Sequence, residues 1–310
     1  RPNRSAYESA NSSPICARGP RPQRHRRLAI GRCYDYTGVM DSDFKNRLEL
    51  AHRLADASGA AIRPYFRRQI DVEEKESTRD GDFDPVTAAD KAAEQAIRAL
   101  IVENYPDDGV LGEEFGAMPG SSGYRWVLDP IDGTRAFVSG QTMWGSLIAL
   151  EKNDERLLGV LDQPFLRERF VGHSGRAEFR SREGNSTLKT RRCETLAQAV
   201  ISTTHPLSHF SDEEARLFAE VESHSKLSRY GGDCYAYGLV AMGFIDLVME
   251  AGLRHWDVAA LIPIVEGAGG IVSDWEGNPV SDGGEMLAAG DVRVHNEALA
   301  LIAAARSKKT

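Results

Sequence analysis

The order of its hydrophobic patterns predicts an α+β protein built in layers. Two helical-period stretches come first, then a run of short strand-like segments, then strands and helices mixed. No strict strand–helix alternation and no internal repeat run through the chain, which favours a layered arrangement over a doubly wound parallel sheet. The 310 residues are 41% hydrophobic and 27% charged, an ordinary globular composition. That length fits one large domain or two closely joined halves, at roughly 150 residues per domain.

The first pattern runs from Asp41 to about Ala61, where Phe44, Leu48, Ala51, Leu54 and Ala55 recur at helical spacing and Asp41 or Ser42 can cap the start. Residues 71–82 are polar and include Lys75. A second helix is predicted over about Ala88–Tyr105, with Ala92, Ala96, Ile97, Leu100 and Ile101 inward and Thr87 or Asp90 as capping residues. Val110 and Leu111 form a short strand between loops, and Trp126–Leu128 a second that ends in a turn at Pro130. Gly145–Leu150, Leu157–Leu161, Glu168–Gly172 and Gly175–Arg180 read as further strands, and Ser181–Lys189 as a polar turn. Val200–Thr204 is a strand and Asp212–Ser223 a helix. A tight turn at Gly231–Cys234 leads to a helix over Tyr235–Met242, then a strand over Ile245–Glu250. His255-Trp-Asp257 opens a helix running through Glu266. Ile271–Asp274 and Glu285–Ala289 are strands, and Asn296–Arg306 is a closing helix.

Residues 1–39 differ from the rest, with eight arginines, four prolines and no apolar period. They read as a disordered basic extension, an Arg/Ser-rich, acid-poor transit peptide or, the reading favoured, non-native sequence translated upstream of a true start at Met40, ahead of a catalytic domain over 40–310 whose halves divide near residue 190. A net charge of −8 argues against nucleic acid or an anionic membrane as partner. No apolar run approaches the roughly 20 residues of a membrane span. Cys16, Cys33, Cys193 and Cys234 form no CxxC pair, which suits a reducing, cytoplasmic setting without disulfide or zinc.

The chemistry concentrates in Trp126-Val-Leu-Asp-Pro-Ile-Asp-Gly-Thr-Arg-Ala-Phe137. Asp129 and Asp132 stand three apart on one stiff turn, because Pro130 fixes its own φ and restricts Asp129. Two carboxylates so placed repel each other unless a cation lies between them, and hard divalent cations take oxygen ligands. Gly133 lets backbone approach a ligand, and the helix start near Thr134 favours a phosphate. An Asx-rich surface turn is the bland alternative. Three further acidic motifs accompany it: Asp84-Pro-Val-Thr87, Gly112-Glu-Glu114 and Trp256-Asp-Val-Ala-Ala260.

Together these four motifs resemble the inositol monophosphatase family of magnesium-dependent phosphatases, in the family's order and over residues 44–305. The resemblance implies a layered αβαβα sandwich, two to three Mg²⁺ ions, a small phosphate monoester as substrate and a homodimer. It implies that Glu113, Asp129 and the Ile131 carbonyl hold one ion, and that Asp129, Asp132 and Asp257 hold a second. Gly133 and Thr134 N–H groups would bind phosphate, while Asp84 and the Thr134 hydroxyl position and deprotonate the attacking water. Glu114 matches no ligand role.

Within the family, the histidinol-phosphatase branch is most similar, through Asp129–Gly140, Gly231-Gly-Asp-Cys-Tyr-Ala-Tyr237, Asp246–Leu253 and Trp256–Pro263. Arg135-Ala136 stands where inositol-specific members have Thr-Asn. The implied activity is hydrolysis of L-histidinol phosphate in histidine biosynthesis, with Asp233 and Glu250 facing the cationic leaving group. Asp233 as a turn or capping residue is the alternative for that position. Arg254 or His255 closing the pocket competes with a surface position, the default for both, and Trp144 and Trp256 read as core rather than imidazole-stacking platforms. Two other functions fit the same motifs: an inositol or broad sugar-phosphate phosphatase, and a non-catalytic phosphometabolite-binding protein.

Overall fold

A computed structural model describes residues 42–69, 72–74 and 85–308. Its elements in order are α1 (Ser42–Ile62), β1 (Val72–Glu74), β2 (Pro85–Thr87), α2 (Ala88–Asn104), β3 (Gly109–Gly112), β4 (Gly116–Met118) and β5 (Tyr124–Asp132). Then come α3 (Thr134–Val138), β6 (Gly145–Lys152), β7 (Glu155–Gln163), β8 (Glu168–His173), β9 (Arg176–Ser181) and β10 (Gly184–Thr187). The remainder is β11 (Val200–Thr203), α4 (Asp212–Ser223), β12 (Leu227–Tyr230), α5 (Asp233–Ala241), β13 (Leu247–Leu253), α6 (His255–Ala259), α7 (Leu261–Gly267), β14 (Ile271–Ser273), β15 (Gly284–Ala289) and α8 (Val292–Ser307). Residues 1–41, Lys75 and Asp84 lie outside the described residues.

Two main sheets carry the architecture. The eight-stranded sheet has the order β10-β9-β8-β7-β6-β5-β3-β4, antiparallel throughout except for the parallel β3–β5 pair. The five-stranded sheet has the order β12-β11-β13-β15-β14. β1 and β2 form a small separate pair.

Strand alternation decides what each face buries. Trp126 and Leu128 point to the face covered by α1 and α2, where they meet Leu50, Leu54, Ile97 and Ile101. Val127, between them, points the other way and joins a core shared with Val240 of α5, Ile264 of α7 and Val248 of β13. Leu247 and Met249 face outward onto Leu217 and Phe218 of α4 and Ile302 of α8. The result is five layers: α1/α2, the large sheet, α5/α7, the small sheet, α4/α8. Both faces of both sheets are therefore apolar, which explains near-continuous hydrophobic strands such as Ser146–Leu150.

Several expected boundaries move. β5 does not stop before the turn but runs to Asp132, with its pairing to β6 broken between Asp129 and Asp132. Pro130 sits in that irregularity, where its missing N–H costs no ladder bond. The predicted helix through Glu266 is two helices parted at Ala260. Pro263 lacks the N–H that would reach back to Ala259, so it suits only the first turn of a new helix. α8 starts at Val292 because the Asp291 side chain accepts the Arg293 N–H at 3.0 Å. α5 starts at Asp233 rather than Tyr235. The buried stripe of α2 runs through Ala93, Glu94, Ile97 and Ile101, turned from the expected Ala92, Ala96 and Leu100. Ser181–Lys189, read as a turn, contains β10. Thr87 and Asp90 do cap α2, in a reciprocal box with Thr87 N to Asp90 Oδ2 at 2.9 Å.

Candidate metal centre

Asp129 comes from the middle of the large sheet and is buried. The stretch after it is held from two sides. Ser146 Oγ on β6 donates to the Pro130 carbonyl at 2.7 Å, and Ser58 Oγ on α1 lies 2.7 Å from Ser146 Oγ. Asp132 ends β5 and accepts the Cys234 N–H at 2.7 Å through Oδ2, which ties it to the start of α5. Gly133 then adopts φ +83° ahead of α3, and a Cβ there would lie 2.8 Å from the Met143 carbonyl. Only glycine meets both conditions. The Thr134 hydroxyl donates to the Ile131 carbonyl at 2.9 Å.

Asp257 enters from another layer, in the first turn of α6. Its Oδ2 accepts the Arg254 N–H at 2.7 Å. Asp257 thus caps the start of its helix, and the same carboxylate also faces the other acids. His255, expected at the surface, is half-buried and bonded through Nε2 to Glu151 Oε1 of β6 at 2.9 Å. That contact pins the start of α6 to the large sheet and so places Asp257.

Glu113 follows β3, its N–H bonded to the Leu128 carbonyl at 3.2 Å. Its loop is gripped by a residue that sequence reasoning missed. Glu94 of α2 is fully buried and accepts the N–H groups of Glu114 at 2.8 Å and Phe115 at 3.2 Å. Arg98 pairs with it at 2.7 Å. A side chain at Gly112 would collide with the Glu94 carboxylate, so the loop closes over Glu94 only because 112 is glycine.

These elements bring together what the sequence separates by more than a hundred residues. Single oxygens of Asp129, Asp132 and Asp257 all lie within 4.8 Å of one another. Burial pushes the Asp129 carboxyl well above its ordinary range, and Glu113, Asp132 and Asp257 push it further by charge. Burial and then Asp132 raise Asp257 in the same way. Asp129 Oδ1 is buried and, among the described residues, has no hydrogen-bond partner. A buried oxygen without a donor, surrounded by like charges, fits a hard divalent cation. Asp84 lies outside the described residues, so its place relative to this cluster is not described.

Comparison with known proteins agrees with this chemistry. The model of the inositol monophosphatase family matches residues 43–310. The chain belongs to that family. It is accordingly a phosphoric monoester hydrolase, of a metal-dependent family that acts on small phosphate esters. It is 41% identical over 272 residues to the bifunctional phosphatase IMPL2, chloroplastic, of Arabidopsis thaliana, covering 84% of this chain and 76% of that one. It is 37% identical over 256 residues to the histidinol-phosphatase of Chlorobaculum parvum, covering 80% of this chain and 94% of that one. An inositol monophosphatase structure from Zymomonas mobilis superposes with a TM-score of 0.74 at 40% identity, covering 85% of this chain and all of that one.

In this member of the inositol monophosphatase family, a second group of acids borders the first. Asp233, the first residue of α5, has φ +41° and packs against Gly133. Its carboxyl is pushed up to about 8, by burial first and then by Asp132 and Glu250, against the pull of Arg135. Glu250 of β13 is buried and raised to about 7 by burial. It accepts the Thr204 N–H at 2.6 Å, the Thr204 hydroxyl at 2.9 Å and the Thr203 hydroxyl at 3.3 Å. Arg135 Nη1 lies 2.7 Å from His209 Nε2. Trp144 is fully buried and Trp256 packs against the central core, as expected of both. No helix among the described residues is long and apolar enough to cross a membrane.

Proposed function

We propose that the enzyme hydrolyses L-histidinol phosphate to L-histidinol and phosphate, with two or three Mg²⁺ ions, as a cytoplasmic homodimer serving histidine biosynthesis. Glu113, Asp129, Asp132, Asp257 and the Ile131 carbonyl would hold the ions. Bound divalent ions supply Lewis-acid charge to the phosphoryl oxygens and ease loss of a proton from water. The Gly133 and Thr134 N–H groups would hold the phosphate. The Thr134 hydroxyl donates its hydrogen bond to the Ile131 carbonyl, so its oxygen is left to accept a hydrogen bond from the attacking water. Asp84 would take a proton from that water and, with Thr134, orient it. Asp233 and Glu250 would face the leaving alcohol, where an ammonium or imidazolium answers their charge.

The observation that carries this reading is the convergence of Asp129, Asp132 and Asp257 around a buried oxygen that lacks a donor. The likeness to histidinol-phosphatases at 35–37% identity supports the choice of ester. A second reading, an inositol or broad sugar-phosphate phosphatase with the same machinery, is favoured by the 40% identity to an inositol monophosphatase structure. The test is phosphate release from histidinol phosphate, inositol 1-phosphate and several sugar phosphates, with Mg²⁺ and with EDTA. Histidinol phosphate should turn over fastest, and EDTA should abolish the reaction. Equal or faster release from inositol 1-phosphate replaces the first reading with the second, and activity in EDTA sinks both.

A further inference from the structure

A cavity of about 400 Å³ opens between α1, the β7–β8 turn and β9, a size that suits a small ligand. Its charged lining is Asp56, Arg63, Asp162, Arg167, Arg169 and Arg180, and no member of the acid cluster lines it. Both carboxylates are already engaged by one guanidinium. Arg169 Nε meets Asp162 Oδ1 at 2.7 Å, and its Nη2 meets Asp56 Oδ1 at 2.7 Å. Four guanidiniums against two carboxylates leave an excess of two positive charges, in a chain whose net charge is −8.

The other three arginines have little to answer them among the described residues. Arg63, just past α1, bonds through Nε to the Gly59 carbonyl at 3.3 Å, and a carboxylate that feels its charge, Asp162, is already held by Arg169. Arg167 sits at the turn with φ +61° and has no ion-pair partner among the described residues. Arg180 lies 4.0 Å from Glu178, and its Nε–H is buried without an acceptor. A buried N–H in that state is rare, because water has been removed from it and nothing has replaced the lost bond. The neighbouring His52 registers the same positive field. Burial first, then Arg180 and Arg169, lower it to about 4.

We propose that this cavity is a second anion site, which takes a phosphate group on Arg63, Arg167 and Arg180. A phosphate dianion matches the charge excess and offers enough oxygens for three planar, multidentate donors, where a carboxylate offers two oxygens and one charge. The group arrives either as inorganic phosphate or as part of a phosphorylated small molecule. The site is independent of which ester the enzyme cleaves.

Crystals of the full chain with Mg²⁺, soaked in inorganic phosphate or in methylphosphonate, test this directly, since the P–C bond of the second probe cannot be hydrolysed. The expected result is an oxyanion bonded to at least two of the three guanidiniums. Phosphate alone in the cavity identifies the free ion as ligand, and the phosphonate in it shows that an organic group is accepted. In parallel, equilibrium binding of labelled phosphate to the Mg²⁺-loaded wild type should show one more class of site than the R63Q/R167Q double variant, with at least a tenfold affinity loss there. Those two side chains are exposed, so the variant should keep the wild-type melting temperature. A cavity holding only water in both soaks, or identical isotherms for wild type and variant, overturns the proposal.

Discussion

At the scale of single residues, the decisive fact is a carboxylate kept in a place where its charge is unwelcome. Asp129 is buried beside Glu113, Asp132 and Asp257, all of which raise it. Such a group weakens the fold without its counter-ion and is indispensable with it, the usual conflict between stability and activity. Asp129→Asn keeps the shape and removes the charge. Activity with Mg²⁺ should fall about a thousandfold, as several kcal/mol of charge stabilisation are lost. The same variant in EDTA should be more stable than wild type, by about 1–2 kcal/mol in urea unfolding. Unchanged turnover, or a lower EDTA stability, contradicts the role given to Asp129. The acids themselves were legible in the sequence because their motifs are local: Asp129 and Asp132 share one turn, and Asp257 sits in a short Trp-Asp-Val-Ala-Ala run. Glu94, Ser146 and His255 were not legible, since each acts on a partner far away in the chain. Glu94 looks like any solvated helix glutamate until the Glu114 and Phe115 N–H groups close over it.

At the scale of elements, α2 and α1 each support a prediction. Removing the Glu94 carboxylate frees two loop N–H groups and leaves Arg98 with the Gly116 carbonyl but, among the described residues, no ion-pair partner. Glu94→Ala should therefore raise the Mg²⁺ concentration for half-maximal activity about 10–100-fold, the usual effect of losing a group that orients metal ligands. The maximal rate at saturating Mg²⁺ should fall less. A rate loss with no shift in Mg²⁺ dependence would assign Glu94 to folding alone. On α1, His52 faces Arg169 and His173 of β8, Arg180 of β9 and Asp56 of its own helix, and its proton affinity is lowered from 6.5 to about 4. The unfolded chain takes up this proton below about pH 6.5 while the folded chain does not, so between those values the unfolded state binds more protons. The stability from a neutral His52 is full above that window and is lost as pH falls toward 4. The urea midpoint should drop from pH 7 to 4.5, and by less in His52→Gln; parallel curves would count against it. Strands show the same contrast in legibility. Central strands announced themselves by apolar runs, whereas β4, β10 and β12 all lie at sheet edges and were missed. β10 is exposed along its whole length, so it has no apolar face to advertise, unlike the edge strand β14 with Ile271 and Val272.

At the scale of the whole molecule, five layers were readable from the family motifs, but the reason they matter is that no single layer holds the site. Asp129 and Asp132 come from the large sheet, Asp257 from a helix beyond it, and Glu113 from a loop gripped by the outermost helix. Asp132 is tied in turn to the start of α5, which packs between the two sheets. An ion binding to all of these carboxylates joins elements that otherwise repel across the cluster. Binding to the folded state alone stabilises it by about 2.7 kcal/mol at a hundredfold excess over the dissociation constant. For a chain of this size that is a rise in melting temperature of about 4–5 °C. Mg²⁺ should produce such a rise in wild type, EDTA should reverse it, and Asp257→Asn should reduce it severely although Asp129 and Asp132 remain. A variant that keeps the full Mg²⁺ shift would mean that the ions bind the large-sheet acids alone, and that Asp257 serves only to cap its helix.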